Sequence, residues 1–477
     1  MKISQMGNGK YSGLIKNTII FGVGLIGSKF VQFILLPYFT SVLTPEEYGT
    51  IDLTVTFVGL MVPLLTLELS DSVLRFGLSK GTNKKSLVTN AGLVLIISAL
   101  LTLLLSPLLV FYRSIADYRW YVVALIVSQA FRTNSALFVK SSNKVTVYSI
   151  DSILTATVIA SFDIIFISIC KWSIQGYFFA EIIGNCCSII FLALVGKVGS
   201  YIDLKNGIDI RLLKQMLKYS IPLMFNALSW WITSFSDRMI LDLFFTASEV
   251  GIYSVAAKIP AIVTTLLSVF TQAWIMSAVK EYENDKDMSF FENVYTIYSA
   301  FLFLFVSIVI MVVKPIMRIY VGKDFFEAWY FVPLLLASSV FLGISNYYGA
   351  IYASAKANML EIKSTIICAI SNIVLNFILI PKMNILGAVI ATAFSYVIVV
   401  VIRIIDTKKI MTIKNPAVGL TINGIILTGE ICFVMLNMLL VAAVFCLLII
   451  GENIIVLKRH GYTDKLSRRL KNNGIEE

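Results

Sequence analysis

Eight ionisable side chains lie inside stretches of the chain that are otherwise apolar. The cations are Lys29, Arg132, Arg238 and Lys258; the anions are Asp163, Glu181, Asp237 and Asp242. A charge at the middle of a bilayer costs at least ~2.5–3.5 kcal/mol, so residues of this kind face a partner or a wet cavity. Cations spread over both halves of the chain would attract anions. A pyrophosphate is the natural candidate, because Arg offers paired donors and Lys a point charge. Polar neighbours accompany each cation. Gln32 follows Lys29, Ser128 and Ser135 flank Arg132, and Ser254 precedes Lys258. Asn226, Ser229, Thr233 and Asp237 recur every three or four residues, which places them on one helical face beside Trp230 and Trp231. Other readings stay open: Arg238 and Asp242 are spaced to neutralise each other, and any of the cations could be paired or extended toward the membrane surface. Asp163, Glu181 and Asp237 are candidates to bind a coupling proton or Na+. Glu68, Asp71, Asp151 and Glu361 fall near span ends and read as interfacial.

No catalytic set accompanies these charges. The one histidine, His460, stands in a basic tail, so neither a His-based metal site nor a catalytic triad is expected. Five of the six cysteines sit inside apolar runs, Cys170 ends another, and none forms a C-x-x-C pair, so they read as small buried hydrophobes. Gly22, Gly24 and Gly27 spell a dinucleotide fingerprint, but within an apolar helix rather than between a strand and a helix. There, small residues serve close helix packing.

The elements that must position these residues are membrane helices. The 477 residues are 58% hydrophobic and 14% charged. A soluble domain carries about 25% charged residues. The apolar residues form runs of the length that a ~30 Å hydrocarbon layer requires. Spans are expected at 15–38, 50–70, 87–111, 119–140, 147–169, 175–196, 218–243, 250–278, 293–317, 328–353, 361–380 and 384–405. The region 417–456 is too long for one span and is broken by Glu430 and Asn437. With basic residues on both flanks, it reads as a hairpin turning near Asn437. The expected fold is therefore an all-α bundle of about fourteen membrane helices, twelve if that hairpin lies on the surface. The N-terminal stretch is too long for the core of a secretion signal, and no A-x-A site follows it, so it reads as a retained first span.

The net charge of +11 does not point to nucleic acid, because the basic residues cluster in short loops. Only seven of the 39 Lys and Arg (Arg113, Arg119, Lys171, Lys314, Arg318, Lys323 and Lys382) fall opposite the side on which both termini are expected. That bias places the termini in the cytoplasm. A faint repeat runs through the chain. A shift of 202 lays Lys16, Thr44, Glu47 and Gly49 on Lys218, Thr246, Glu249 and Gly251. A shift of 212 lays Ser142-Asn143-Lys144 on Ser354-Ala355-Lys356. Parallel repeats of six helices would form two lobes, related by a pseudo-twofold axis, around a central cavity. The expected division is a first lobe at 1–197, a linker at 198–215, a second lobe at 216–406, the hairpin at 407–457 and a basic tail at 458–477.

The run Leu43-Thr44-Pro45-Glu46-Glu47-Tyr48-Gly49 follows a Gly-rich first span. Together with the basic loop of Arg75, Lys84 and Lys85 and the Ser142-Asn143-Lys144 turn, it resembles the Wzx-type polysaccharide flippases. These belong to the multidrug/oligosaccharidyl-lipid/polysaccharide (MOP) exporter superfamily. The resemblance implies a non-enzymatic, two-lobed transporter in the bacterial inner membrane. It would carry undecaprenyl-pyrophosphate-linked oligosaccharide to the outer leaflet by alternating access, for O-antigen, capsule or exopolysaccharide. It also implies cavity cations, carried here onto Lys29, Arg132, Arg238 and Lys258, drive by an ion gradient, and a polysaccharide polymerase and chain-length regulator as partners. Two rivals remain. A drug/cation antiporter of the same superfamily would use the carboxylates. A membrane-embedded polymerase or ligase would want a long external loop, which this chain lacks.

Overall fold

The computed structural model describes residues 33–79, 81–203, 207–284, 288–411 and 416–459, with the backbone alone for 226, 229–234, 284, 358, 416, 417 and 459. Within them the secondary structure is entirely helical. Two compact units are formed, one ending at Gly251 and the other beginning at Ile252.

The first unit holds α1 (Phe33–Val42), α2 (Pro45–Thr66), α3 (Leu69–Gly77), α4 (Lys84–Leu105), α5 (Arg119–Ser141), α6 (Val145–Asp163), α7 (Ser173–Leu194) and α8 (Ile210–Phe244), and takes in the first turn of α9 (Ala247–Asn284). The second unit holds the rest of α9, then α10 (Met288–Tyr320), α11 (Val332–Ser354), α12 (Asn358–Met383), α13 (Ile385–Thr407), α14 (Pro416–Met435) and α15 (Leu439–Arg459). Twelve of these helices, α2, α4 to α7 and α9 to α15, are long and apolar enough to cross a membrane. At 35 residues, α8 reaches about 50 Å, although its composition is more polar. Most of the span expected at 15–38 lies outside the described residues.

Side chains that a water-soluble protein would bury point outward on these helices, for example Leu104, Ile169 and Leu440. Lipid tails are the medium that accepts them.

Local sequence sets the helix ends. Thr44 caps α2, receiving the Glu47 amide while the Glu47 carboxylate accepts the Thr44 amide at 2.8 Å. At the start of α9 the Thr246 amide likewise donates to Glu249 Oε2 at 3.1 Å, while the Thr246 hydroxyl receives the Ser248 amide at 3.2 Å. The expected span 50–70 is in fact interrupted. Leu67 and Glu68 both adopt left-handed φ angles, 54° and 50°, and α3 sets off separately behind them. Neither is glycine, so each costs about 1–2 kcal/mol that the surrounding packing offsets. Leu69 and Val73 of α3 supply that packing against Leu87 and Ala91 of α4, Phe138 of α5 and Met216 of α8. α6 widens into π turns from Ile164 to Ile169, directly after Asp163.

The repeat gains detail. α5 and α11 both have 23 residues, and Asn143 and Lys356 turn the chain after them with φ of 59° and 57°. The shift that superposes these helices is 213, one more than the matching tripeptides suggest, because the left-handed residue rather than the serine marks the turn. The hairpin is present as expected. α14 and α15 are joined through Asn437, which turns at φ 59°.

Candidate functional site

The first unit carries a line of charged side chains through its interior. Arg238 of α8 donates from Nε to Asp52 Oδ2 of α2 at 2.5 Å, and both side chains are largely buried. The sequence offered Asp242 as its neutraliser, but Asp242 accepts from Ser114 Oγ at 2.7 Å. Asp52 was not singled out as an intramembrane charge because the span was expected to begin at residue 50. The Thr44–Glu47 capping box starts α2 at Pro45 and so carries Asp52 two turns into the helix.

Arg132 stands on α5, with its Nε buried and without a hydrogen-bond partner among the described residues. Its guanidinium acts electrostatically on Asp151 of α6 and on Glu181 of α7. Asp151 was expected at an interface and is instead 1% exposed, accepting from Ser188 Oγ at 2.6 Å. Close packing of α6 on α7 accounts for this: a methyl group on Gly184 would lie 2.3 Å from Ile159. Four residues before Arg132, Ser128 accepts from Asn185 Nδ2 at 3.2 Å. α5 and α7 therefore face each other with matched polar stripes, Ser128 and Arg132 against Glu181, Asn185 and Ser188.

Glu181 also feels Asp163. Asp163 is 1% exposed, and neither carboxyl oxygen has a hydrogen-bond partner among the described residues. It ends the α-helical part of α6, where the π turns begin, and π turns recur at functional sites. Nearby, Tyr38 shares a hydrogen bond with Ser168 Oγ at 2.8 Å, and the Tyr177 hydroxyl donates to Glu181 at 3.4 Å. A carboxyl pair of this kind can take up a proton or a small cation.

Asp237 is buried in α8 beside Arg238. Lys258 is partly buried on α9 in the second unit. Lys29 and Gln32 lie outside the described residues, and Asn226 and Thr233 are described by backbone only, within α8. No three His, Cys, Asp or Glu side chains among the described residues come close enough to hold a metal.

The second unit holds a buried cation that sequence reasoning did not single out. Arg403 of α13 is 3% exposed. It donates to the Ser345 carbonyl at 2.8 Å, Ser364 Oγ at 3.1 Å and Thr365 Oγ1 at 3.2 Å. Gly349 makes the room, since a methyl there would lie 2.8 Å from Nη1. The signal was the basic residue falling before, not after, the last apolar turn of its span.

These features define a polytopic helical membrane protein with charged groups buried among its helices. A sequence profile described as polysaccharide biosynthesis protein matches residues 14–277, and the chain belongs to that family. The probable low-salt glycan biosynthesis flippase Agl15 of Haloferax volcanii is 24% identical over 242 residues, which cover 49% of this chain and 50% of that relative. The match thus spans about half of that relative's length. Among solved structures, lipid II flippase MurJ in an inward closed conformation superposes with a TM-score of 0.71 at 15% identity, covering 95% of this chain and 99% of that one. An inward-facing multidrug resistance MATE family transporter of the MOP superfamily gives 0.66 at 14% identity, covering 83% and 96%. At these identities the likeness is one of fold. The resemblance carried by Leu43–Gly49 is borne out in family and in fold.

Proposed function

We propose that this chain is a flippase, not an enzyme, that moves an undecaprenyl-pyrophosphate-linked oligosaccharide across the bacterial inner membrane by alternating access, for surface polysaccharide synthesis. Membership of the polysaccharide biosynthesis family supports the glycan. The observation that carries the anionic headgroup is Arg132, a guanidinium inside the bundle whose Nε has no hydrogen-bond partner among the described residues. In this reading Arg132, with Lys29, Arg238 and Lys258, meets the pyrophosphate, while Gln32, Asn226 and Thr233 line the path of the sugars. Asp163, Glu181 and Asp237 take the coupling H+ or Na+. Both termini are cytoplasmic, and a polymerase and a chain-length regulator receive the product.

Deletion of the gene in its host tests this, with surface polymer and extracted lipid-linked oligosaccharides measured together. Loss of polymer with accumulation of complete repeat units is the expected outcome. A drug/cation antiporter is the second reading, favoured by the two unpartnered oxygens of Asp163. Unchanged polymer with altered sensitivity to cationic drugs would establish it instead.

A further inference from the structure

Asn423 and Glu430 of α14 and Asn437 in the turn that follows it stand seven positions apart in a largely apolar stretch. Each of the three meets a polar partner. Asn423 donates to Glu452 Oε2 of α15 at 2.8 Å and accepts from Asn453 Nδ2 at 2.8 Å. Glu430 accepts from Ser307 Oγ of α10 at 2.6 Å. Asn437 accepts from Lys314 Nζ of α10, whose ammonium also lies 4.5 Å from the centre of the Trp329 ring. Seven residues are two helical turns, so the rungs are about 10 Å apart.

The middle rung is unlike the others. Glu430 and Ser307 have no exposed surface at all. Oε1 of Glu430 has no hydrogen-bond partner among the described residues. The charged and titratable groups of the packed elements are engaged elsewhere or are neutral. On α10, Lys314 is held two turns away by Asn437. On α15, Glu452 is held two turns away in the other direction by Asn423, and the Cys446 thiol approaches both Ser307 and Glu430. α11 has no charged residue. A bare carboxylate with a single neutral donor in apolar surroundings costs several kcal/mol. A carboxylic acid in the same place needs no counter-ion.

We propose that Glu430 is a proton-binding site that fastens the α14–α15 hairpin to α10. With its proton bound, the carboxyl accepts from Ser307 and leaves no net charge in the seam. Without it, the seam holds an unpaired anion, and the hairpin must admit water or move off α10. The inference rests on the membrane-embedded fold and is independent of which substrate is carried.

The test is infrared difference spectroscopy on the full chain in lipid bilayers, comparing wild type with Glu430→Gln, an uncharged near-isostere. A protonated-carboxyl stretch is expected at neutral pH that the variant lacks. Ser307→Ala should shift that band without removing it. Hydrogen exchange of α14, corrected for the intrinsic rate, should then rise in the wild type over the pH range where the band disappears, and stay flat in Glu430→Gln. No band lost in Glu430→Gln would show an ionised carboxylate and overturn the site. An unshifted band in Ser307→Ala would place the protonated carboxyl elsewhere. Identical exchange in wild type and Glu430→Gln would overturn the link to hairpin docking.

Discussion

Gly49 on α2 and Gly251 on α9 bring two helix ends so close together that neither position has room for a methyl group. A Cβ on Gly49 would fall 1.7 Å from the Ala247 carbonyl oxygen, and one on Gly251 would fall 2.0 Å from that of Pro45. The contact is reciprocal, because Ala247 stands to Gly251 as Pro45 stands to Gly49. The same two turns carry matching N-terminal bonds, the Thr44 amide to Glu47 and the Thr246 amide to Glu249. Thus the matches at a shift of 202 in the sequence mark a local twofold contact. Both obstacles are backbone atoms, which cannot rotate aside. Gly49→Ala and Gly251→Ala should each destabilise this arrangement by about 1–3 kcal/mol. Thermal unfolding in detergent measures it, and a wild-type midpoint in both variants would contradict the contact.

Arg132→Ala should abolish or strongly reduce polymer export while the protein still inserts at normal levels, and Lys29→Ala should impair it. Arg132→Lys keeps the charge but loses the paired donors, so it should retain partial export. Immunoblotting of membranes together with surface polymer staining checks both points. Full export by Arg132→Ala and Lys29→Ala would remove the cationic-headgroup argument.

Asp163→Asn keeps the size of the side chain and removes the carboxylate proposed to bind the coupling proton or cation. Export, or uptake of a fluorescent cation if the second reading holds, should lose most of its response to an imposed H+ or Na+ gradient. Transport by the variant in proteoliposomes, with and without each gradient, gives the answer. An undiminished response would assign coupling to other residues.

Arg403→Met should destabilise the second unit by about 2–4 kcal/mol. It removes the three hydrogen bonds that the buried guanidinium donates to the Ser345 carbonyl, Ser364 and Thr365, leaving the two hydroxyls only their own bonds to the Glu361 carbonyl. Arg403→Lys should rescue only part of the loss, since one ammonium cannot reach three separated acceptors. The readout is unfolding temperature, with expression level as a second measure.

Glu68 sits in the break between α2 and α3, where burial first, and then the nearby Asp71 carboxylate, raise its pKa above the usual carboxyl value. Asp71 is raised as well, chiefly by burial. A raised acid favours folding below its ordinary titration range, and that contribution is lost as pH rises through the folded value. Stability of the wild type should therefore fall over that interval, and Glu68→Gln should flatten the fall. Both groups are partly solvated, so the amplitude should stay below about 1 kcal/mol. Unfolding midpoints across the acidic pH range decide it.

Much of the scaffold was legible because a bilayer imposes long apolar runs, and those runs gave the spans and the hairpin turn at Asn437. The break at Leu67–Glu68 was not, since neither residue type favours a left-handed backbone; the Glu68 amide bond to the Pro63 carbonyl and the packing of Leu69 and Val73 hold it. Of the site, Arg132 with Ser128 was readable from helical spacing. The pairing of Arg238 with Asp52 was not, because spacing shows neighbours on one helix and is silent about partners 186 positions away. Asp151 was placed at an interface and Arg403 was not singled out, for a common reason. Each lies near the end of a span, where solvent is the default expectation, yet Ser188 and Ser345 offer partners inside.

The rungs that join α14 to α10 both link residues 123 positions apart, so the two helices run in the same direction with three others made between them. At about 5–20 residues per second, a ribosome needs roughly 6–25 s to cover that distance. For that interval Ser307 and Lys314 wait in the nascent protein without their partners on α14. α14 and α15 thus complete a surface laid down much earlier. A stop codon ahead of α14 would leave the earlier spans inserted, with two polar side chains of α10 facing lipid or the insertion machinery.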